Sequence, residues 1–166
     1  MKTIDCHKWF AVYTKPRTEK KIFSELSNYG IETYLPLKKE LRQWHDRKKW
    51  IEIPIISSYI FVRVNNLEYR KVFEVKNFVR YVSYNGRAAP IPDREIDAMK
   101  RAVENNLSLS VERGILKKGK TITIASGPLK GITGEITDIK GKKKLYIRVK
   151  NAGFSLSINI DDETIL

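Results

Sequence analysis

Basic and aromatic side chains occur close together at several places in this sequence. Cations bind phosphates and aromatic rings stack on bases, which is how single-stranded nucleic acid is commonly held. The stretch KKELRQWHDRKKW (38–50) contains six Lys or Arg, one His and two Trp. The candidate nucleic-acid-binding residues are Lys15, Arg17, Arg47, Lys48, Tyr69, Arg70 and Lys71. For each of these residues, a solvated surface side chain is the alternative explanation.

The total charge agrees with a polyanionic partner. The 166 residues include 32 Lys and Arg against 19 Asp and Glu, which gives a net charge of +13. Such a field favours polyanions and steers them toward the protein. No apolar run approaches the roughly 18 residues of a membrane span, and the N-terminus has no apolar signal region. These features predict a cytoplasmic protein.

The few residues that could support catalysis or metal binding are poorly placed. Cys6 and His7 are adjacent, so in a strand their side chains point to opposite faces. One Cys and two His are too few for a usual zinc site, and a single Cys excludes an internal disulfide. The stretch GPLKGITG lacks the Lys-Ser/Thr ending of a phosphate-binding loop. We therefore expect no enzyme activity, no metal and no cofactor.

The first two thirds of the chain alternate between strand and helix patterns. The predicted elements are a strand at 8–14, a helix at 15–30, a strand at 31–37, a basic hairpin at 38–50, a strand at 51–64, a helix at 65–77, a strand at 78–84 and a helix at 92–106. This order predicts an N-terminal mixed α/β sandwich, an antiparallel sheet flanked by helices.

The last third has a different composition. Residues 104–114 are polar without a clear period, and from Ile115 short strands alternate with glycine turns, as in small β-barrels. The predicted fold class is α+β, with a domain at 1–106, a linker at 107–114 and a β-barrel domain at 115–166. The Thr and Ile content of KTITIA and the glycines oppose a helical form of this module.

Two sets of motifs resemble one known family. The stretch KKGKTITIASGPLKGITGEI resembles a KOW motif, carried here by Gly127, Leu129, Lys130, Gly131 and Gly134. The stretches WFAVYTKPRTEKKIFSEL, PIISSYIFVRV and FVRYVSYNGRAAPIPDREIDAMK resemble successive parts of the NusG N-terminal domain. The chain thus resembles the NusG family of transcription elongation and antitermination factors. Ser57-Ser58 replaces the family's usual Pro-Gly, and this substitution together with the strongly basic, Trp-bearing hairpin indicates a specialised paralogue. A generic five-stranded barrel is the alternative for the KOW segment.

The resemblance implies partners for named residues. Tyr59, Phe61 and Tyr81 would bind the clamp helices of RNA polymerase, unless they are core aromatics. Lys15, Arg17 and the segment 69–71 would lie near the non-template DNA strand. Arg47, Lys48 and Trp50 would contact upstream duplex DNA or the polymerase.

The same resemblance implies an action on transcription. The factor would suppress pausing and premature termination, and the KOW barrel would recruit a second partner, such as a ribosomal protein or a termination factor. An RNA- or ribosome-binding KOW protein that does not act on RNA polymerase is the alternative, since the charge supports it equally well.

Overall fold

The computed structural model describes residues 6–113, 119–139 and 142–160. It is an α+β protein with antiparallel sheets and three α-helices among the described residues. The chain forms two compact units that divide between Ile91 and Pro92. None of the described helices is long and apolar enough to cross a membrane.

The N-terminal unit consists of strands and two helices. In chain order these are β1 (Lys8–Thr14), α1 (Glu19–Asn28), β2 (Glu32–Tyr34), β3 (Leu37–Gln43), β4 (Lys48–Pro54), β5 (Tyr59–Val64), α2 (Asn66–Lys71) with a 3₁₀ turn (Val72–Glu74), β6 (Phe78–Tyr81), β7 (Ser83–Tyr84) and β8 (Arg87–Ala88). Four of the strands form one sheet in the order β2-β5-β1-β6, and β5 and β6 both pair antiparallel with β1.

The central sheet is buried on both faces. The consecutive residues Ile60, Phe61 and Val62 of β5 are all fully buried, although neighbouring side chains in a strand point to opposite faces. On one face, Ile60 and Val62 belong to a core that includes Ile22 and Leu26 of α1, one helical turn apart. Packing of this apolar helix face against the sheet therefore explains why α1 forms where the sequence predicts a helix.

The turn before β5 explains how the chain tolerates Ser57-Ser58. Ser58 has a positive φ of 65°, a conformation that favours glycine. Its backbone N–H donates a 2.8 Å hydrogen bond to the buried carboxylate of Glu19, and its carbonyl accepts a 2.9 Å bond from the Thr14 N–H. These bonds hold the strained backbone, so serine occupies a position with glycine geometry.

Strands β3 and β4 form a separate two-stranded sheet, which confirms the predicted hairpin. The strands extend further than predicted, from Leu37 to Gln43 and from Lys48 to Pro54. Strand β2 is correspondingly short, because the chain leaves the central sheet after Tyr34.

The C-terminal unit combines a helix with an antiparallel sheet. Its elements are α3 (Asp93–Glu104), β9 (Leu109–Arg113), β10 (Lys120–Thr123), β11 (Thr133–Ile139), β12 (Lys142–Val149), a 3₁₀ turn (Lys150–Ala152) and β13 (Phe154–Ile160). The strand order is β10-β11-β12-β13-β9. Helix α3 packs against β12, and its buried residues include Ile96 and Met99.

Two details of this unit differ from simple expectation. Residues 109–113, which the sequence predicts to be part of a linker, form strand β9 and pair with β13. Polar side chains alternate with Leu109 and Val111, which is the pattern of a strand. Edge strands β9 and β10 are not hydrogen-bonded to each other within the described residues. A closed barrel and the domain boundaries at 106 and 115 therefore stay predictions.

Candidate functional site

Two of the three predicted polymerase-binding rings are not on the surface. Phe61 is 0% exposed and Tyr81 is 4% exposed. Phe61 lies opposite Ala11 of β1, and Tyr81 lies opposite Val12, which is the next residue of β1. The two rings therefore lie on opposite faces of the sheet, and they do not form one patch. Both are core residues, which is the alternative that the sequence leaves open.

Tyr59 is the partly exposed member of the predicted set. It lies at the end of the sheet opposite Tyr13, and the two rings pack edge to face at 5.4 Å. The guanidinium of Arg80 lies 5.8 Å from the centre of the Tyr13 ring, within cation–π range. This arrangement holds two partly exposed rings and a cation at one end of the sheet, and the sequence analysis missed Tyr13 and Arg80.

Tyr81 instead forms the centre of an aromatic cluster. Its ring stacks on that of Tyr69 at 4.0 Å, and its hydroxyl donates a 2.9 Å hydrogen bond to the Tyr69 carbonyl. Burial, and secondarily the neighbouring Tyr69, raise the pKa of Tyr81 far above its usual value, and burial also raises the pKa of Tyr69. Phe10, Phe73 and Phe78 surround this pair edge to face. The Tyr69 ring, predicted to bind nucleic acid, thus has one face covered by Tyr81.

The exposed apolar residues beside this cluster were not predicted. Phe73 is 55% exposed and Leu67 is 70% exposed, whereas Val72 and Val75 are buried. Sequence reasoning placed all four on one helix, but α2 ends at Lys71 and a 3₁₀ turn follows. The adjacency of Val72 and Phe73 is the available signal, since neighbouring helical residues lie 100° apart and do not share a narrow face.

The predicted nucleic-acid-binding cations are all exposed but belong to three separate elements. Lys15 and Arg17 lie in the turn before α1, where the Lys15 N–H donates a 3.1 Å bond to the Asn77 carbonyl. Arg70 and Lys71 are the last two residues of α2, where positive charges interact favourably with the helix dipole. Arg47 and Lys48 lie at the distal end of the hairpin. The structure therefore offers several cationic surfaces in place of one assembled site.

The KOW segment forms a tight loop between β10 and β11. Gly127 and Gly131 have φ values of 75° and 84°, and the Gly131 N–H donates a 2.8 Å bond to the Ile124 carbonyl. Lys130 is exposed, and its carbonyl accepts a 2.8 Å bond from Arg101. Leu129 is buried, because the loop folds its apolar side chain into the unit.

Gly134 has a packing reason for being glycine. A Cβ at this position would lie 2.7 Å from the Leu145 side chain and 2.8 Å from the Tyr146 carbonyl. These distances are shorter than van der Waals contact, so any side chain would displace the paired strand β12. Glycine at this residue therefore avoids crowding between β11 and β12.

Ion pairs line the sheet of the C-terminal unit. Arg148 and Glu135 are 2.6 Å apart, and Lys144 and Glu112 are 3.4 Å apart. Burial alone would raise the pKa of Glu112, but hydrogen bonds from Ser157 and Lys144 and the Lys144 charge outweigh it and lower that pKa. Burial and the Glu112 charge raise the pKa of Tyr146.

Cys6 and His7 do not form a dyad. Cys6 is an exposed free thiol, and His7 Nε2 lies 3.0 Å from a carboxylate oxygen of Glu68. In the part of the chain that the structure describes, no cluster of three His, Cys, Asp or Glu could hold a metal ion.

Comparison with known proteins identifies the family. The NusG family model, described as transcription termination factor nusG, matches residues 7–100, more than half of the chain. A solved structure described as domain interaction in Thermotoga maritima NusG shares the fold, with a TM-score of 0.54, 20% identity and 95% coverage of both chains. No curated protein matches the chain. Proteins of the NusG family are transcription factors that generally bind RNA polymerase, and they are not enzymes. This chain belongs to the NusG family.

Proposed function

We propose that this protein is a transcription elongation and antitermination factor that binds RNA polymerase through its N-terminal unit. The observation that carries the proposal is the family match at residues 7–100, which contains the large apolar side chains that are exposed among the described residues. Exposed rings supported by neighbouring rings are typical anchors of protein interfaces. Tyr59 is held by Tyr13, and Phe73 is held by the Tyr69–Tyr81 cluster.

The proposed contact regions divide by chemistry. Tyr59 and the neighbouring Tyr13 contact the clamp region of the polymerase. Lys15 and Arg17, together with Arg70 and Lys71, bind phosphates of the exposed non-template strand. Because Tyr69 is partly covered, it contributes less to base stacking than its sequence position suggests.

The mechanism is a population shift. A factor that binds the elongating polymerase more tightly than the paused polymerase favours elongation by that difference in affinity. The C-terminal unit acts as a KOW module that recruits a second protein, such as a ribosomal protein or a termination factor. Tethering of that partner raises its effective concentration at the polymerase.

Transcription with purified RNA polymerase tests the proposal. A template with a strong pause and a terminator is transcribed with and without the full-length protein. We expect a shorter pause and more read-through, together with capture of the polymerase by the immobilised protein. If the protein captures ribosomes or RNA from extract but leaves the purified polymerase unbound and its pausing unchanged, the alternative RNA- or ribosome-binding function is correct.

A further inference from the structure

Strained backbone occurs at one end of the central sheet. Among the described residues, Arg17 and Ser58 are the only ones other than glycine and asparagine with a positive φ, at 64° and 65°. This conformation is unfavourable for a residue with a Cβ, and Gly and Asn adopt it most readily. Residues held in such conformations cluster at functional sites, where the surrounding structure must fix them. Both positions therefore require interactions that hold them.

Hydrogen bonds join three chain segments at the end of β1. Thr14, the last residue of β1, is fully buried, and its N–H donates a 2.9 Å bond to the Ser58 carbonyl. The N–H of the next residue, Lys15, donates a 3.1 Å bond to the Asn77 carbonyl. The Lys15 carbonyl in turn accepts a 2.7 Å bond from the Thr18 hydroxyl. Segments that are far apart in the sequence are thereby fixed to one another.

Glu19 completes these contacts from the first turn of α1. Its side chain is 5% exposed, and its carboxylate accepts a 2.8 Å hydrogen bond from the Ser58 N–H. Burial of a carboxylate is costly unless hydrogen bonds compensate for it, and a bond from a backbone N–H to a carboxylate is stronger than a neutral one. The N-terminal end of a helix also favours a negative charge. The resulting clamp network consists of Thr14, Lys15, Thr18, Glu19, Ser58 and Asn77.

The clamp network lies directly beside the side chains proposed to bind partners. Ser58 is followed by Tyr59, and Tyr13 precedes the last residue of β1; the two rings pack edge to face at 5.4 Å. Lys15 belongs to the network, and Arg17 adjoins it in the turn before α1. The network therefore fixes the backbone from which both the rings and the cations extend.

We propose that Glu19 is a positioning residue that holds Tyr59 and the basic turn 15–17 in the arrangement in which they bind. The inference deepens the proposed function, on which it rests for the identity of the partner at Tyr59. Glu19 is buried and acts through the Ser58 backbone. A surface that is rigid before binding loses less conformational freedom on association, so its affinity is higher. Polymerase recognition and the neighbouring cations thus depend on one buried carboxylate.

Amide hydrogen exchange of the full-length protein tests whether Glu19 holds the turn. In Glu19→Ala, the Ser58 amide should exchange at least about tenfold faster, because its bond to a charged acceptor is lost. The amide of Leu26, within α1, should keep its protection, which shows that the change is local. Glu19→Gln keeps an acceptor oxygen and should give a smaller increase. The matched control Glu74→Ala removes the same charge from an exposed position and should leave the Ser58 amide unchanged.

Binding of purified RNA polymerase tests whether this support matters for recognition. Glu19→Ala should weaken binding about tenfold, since Tyr59 is no longer held. In a Ser58→Gly background the same change should weaken binding less than about threefold, because glycine adopts the positive φ without support. Such a rescue separates positioning from a general loss of stability, which a glycine at this position would not correct.

Two results would overturn the inference. One is unchanged exchange of the Ser58 amide in both Glu19 variants, since the turn would then not depend on the carboxylate. The other is faster exchange with unchanged polymerase affinity, because Tyr59 would then be positioned independently of Glu19. A wild-type protein that fails to bind polymerase would contradict the proposed function, whereas the exchange measurement would still decide whether Glu19 holds the turn.

Discussion

The two units of the protein differ in where they place large apolar side chains. In the N-terminal unit several remain exposed: Phe23, Tyr29, Leu41, Trp44, Trp50, Leu67, Phe73, Val79 and Tyr84. The described residues of the C-terminal unit contain no exposed large hydrophobic side chain, and Leu145, Ile147, Val149 and Leu156 are buried. Exposed apolar surface is unfavourable in water, so it indicates contact with partners. The comparison favours apolar recognition by the N-terminal unit, which carries the exposed rings.

The largest effect should separate buried rings from exposed rings within the N-terminal unit. Phe61→Ala should lower the free energy of unfolding by about 3–5 kcal/mol, because the ring is fully buried. Phe73→Ala should lower it by about 1 kcal/mol or less, since more than half of that side chain is exposed. Urea unfolding of both variants measures the difference. Equal decreases in the free energy of unfolding would show that the exposed Phe73 contributes as much to stability as the buried Phe61.

In the C-terminal unit, the substitution expected to reduce stability is at a glycine. Gly134→Ala should destabilise the protein by about 1–3 kcal/mol, because the new methyl group would overlap the Leu145 side chain and the Tyr146 carbonyl. Ser126→Ala in the loop before β11 is an exposed control and should change stability by less than about 0.5 kcal/mol. Thermal unfolding of the two variants provides the comparison. A stable Gly134→Ala protein would mean that β11 and β12 are less closely packed than described.

The smallest effect concerns pH. The folded protein holds the pKa of Glu112 below its ordinary value, so Glu112 stabilises the C-terminal unit above the unfolded pKa of about 4.3 and loses this effect as pH falls through the lower folded pKa. Glu112→Gln should therefore reduce stability at neutral pH and reduce the loss of stability between about pH 5 and the acid range. Urea midpoints measured across this range test it, and identical pH profiles for the two proteins would refute the role of Lys144.

Much of the fold was predictable because its periodic signals are local. The apolar run 8–14 matches β1, and the spacing of Ile22 and Leu26 matches the buried face of α1. The hairpin was predictable from its polar, cationic composition. Strand β9 was not predictable from the local sequence, because it depends on pairing with β13. The paired residues, from Leu109–Ile158 to Arg113–Phe154, are on average 45 positions apart in the sequence.

The site was less predictable than the fold. Alternation along β5 puts Tyr59 and Phe61 on one face, but it cannot show how deeply each residue is covered. Exposure of the cations followed from charge, whereas the stacking of Tyr69 on Tyr81 joins residues from α2 and β6 and depends on tertiary packing. The role of Ser58 likewise required the backbone φ, which the residue type does not reveal.

Equilibrium binding of purified RNA polymerase to the full-length protein tests the central claim most directly. Tyr59→Ala should weaken binding about thirtyfold, the effect of a hot-spot residue of about 2 kcal/mol. Lys120→Ala, an exposed change in the C-terminal unit, should leave the affinity unchanged. If the wild-type protein does not bind polymerase, or if a folded Tyr59→Ala variant binds as tightly as the wild type, the N-terminal unit does not recognise polymerase as proposed.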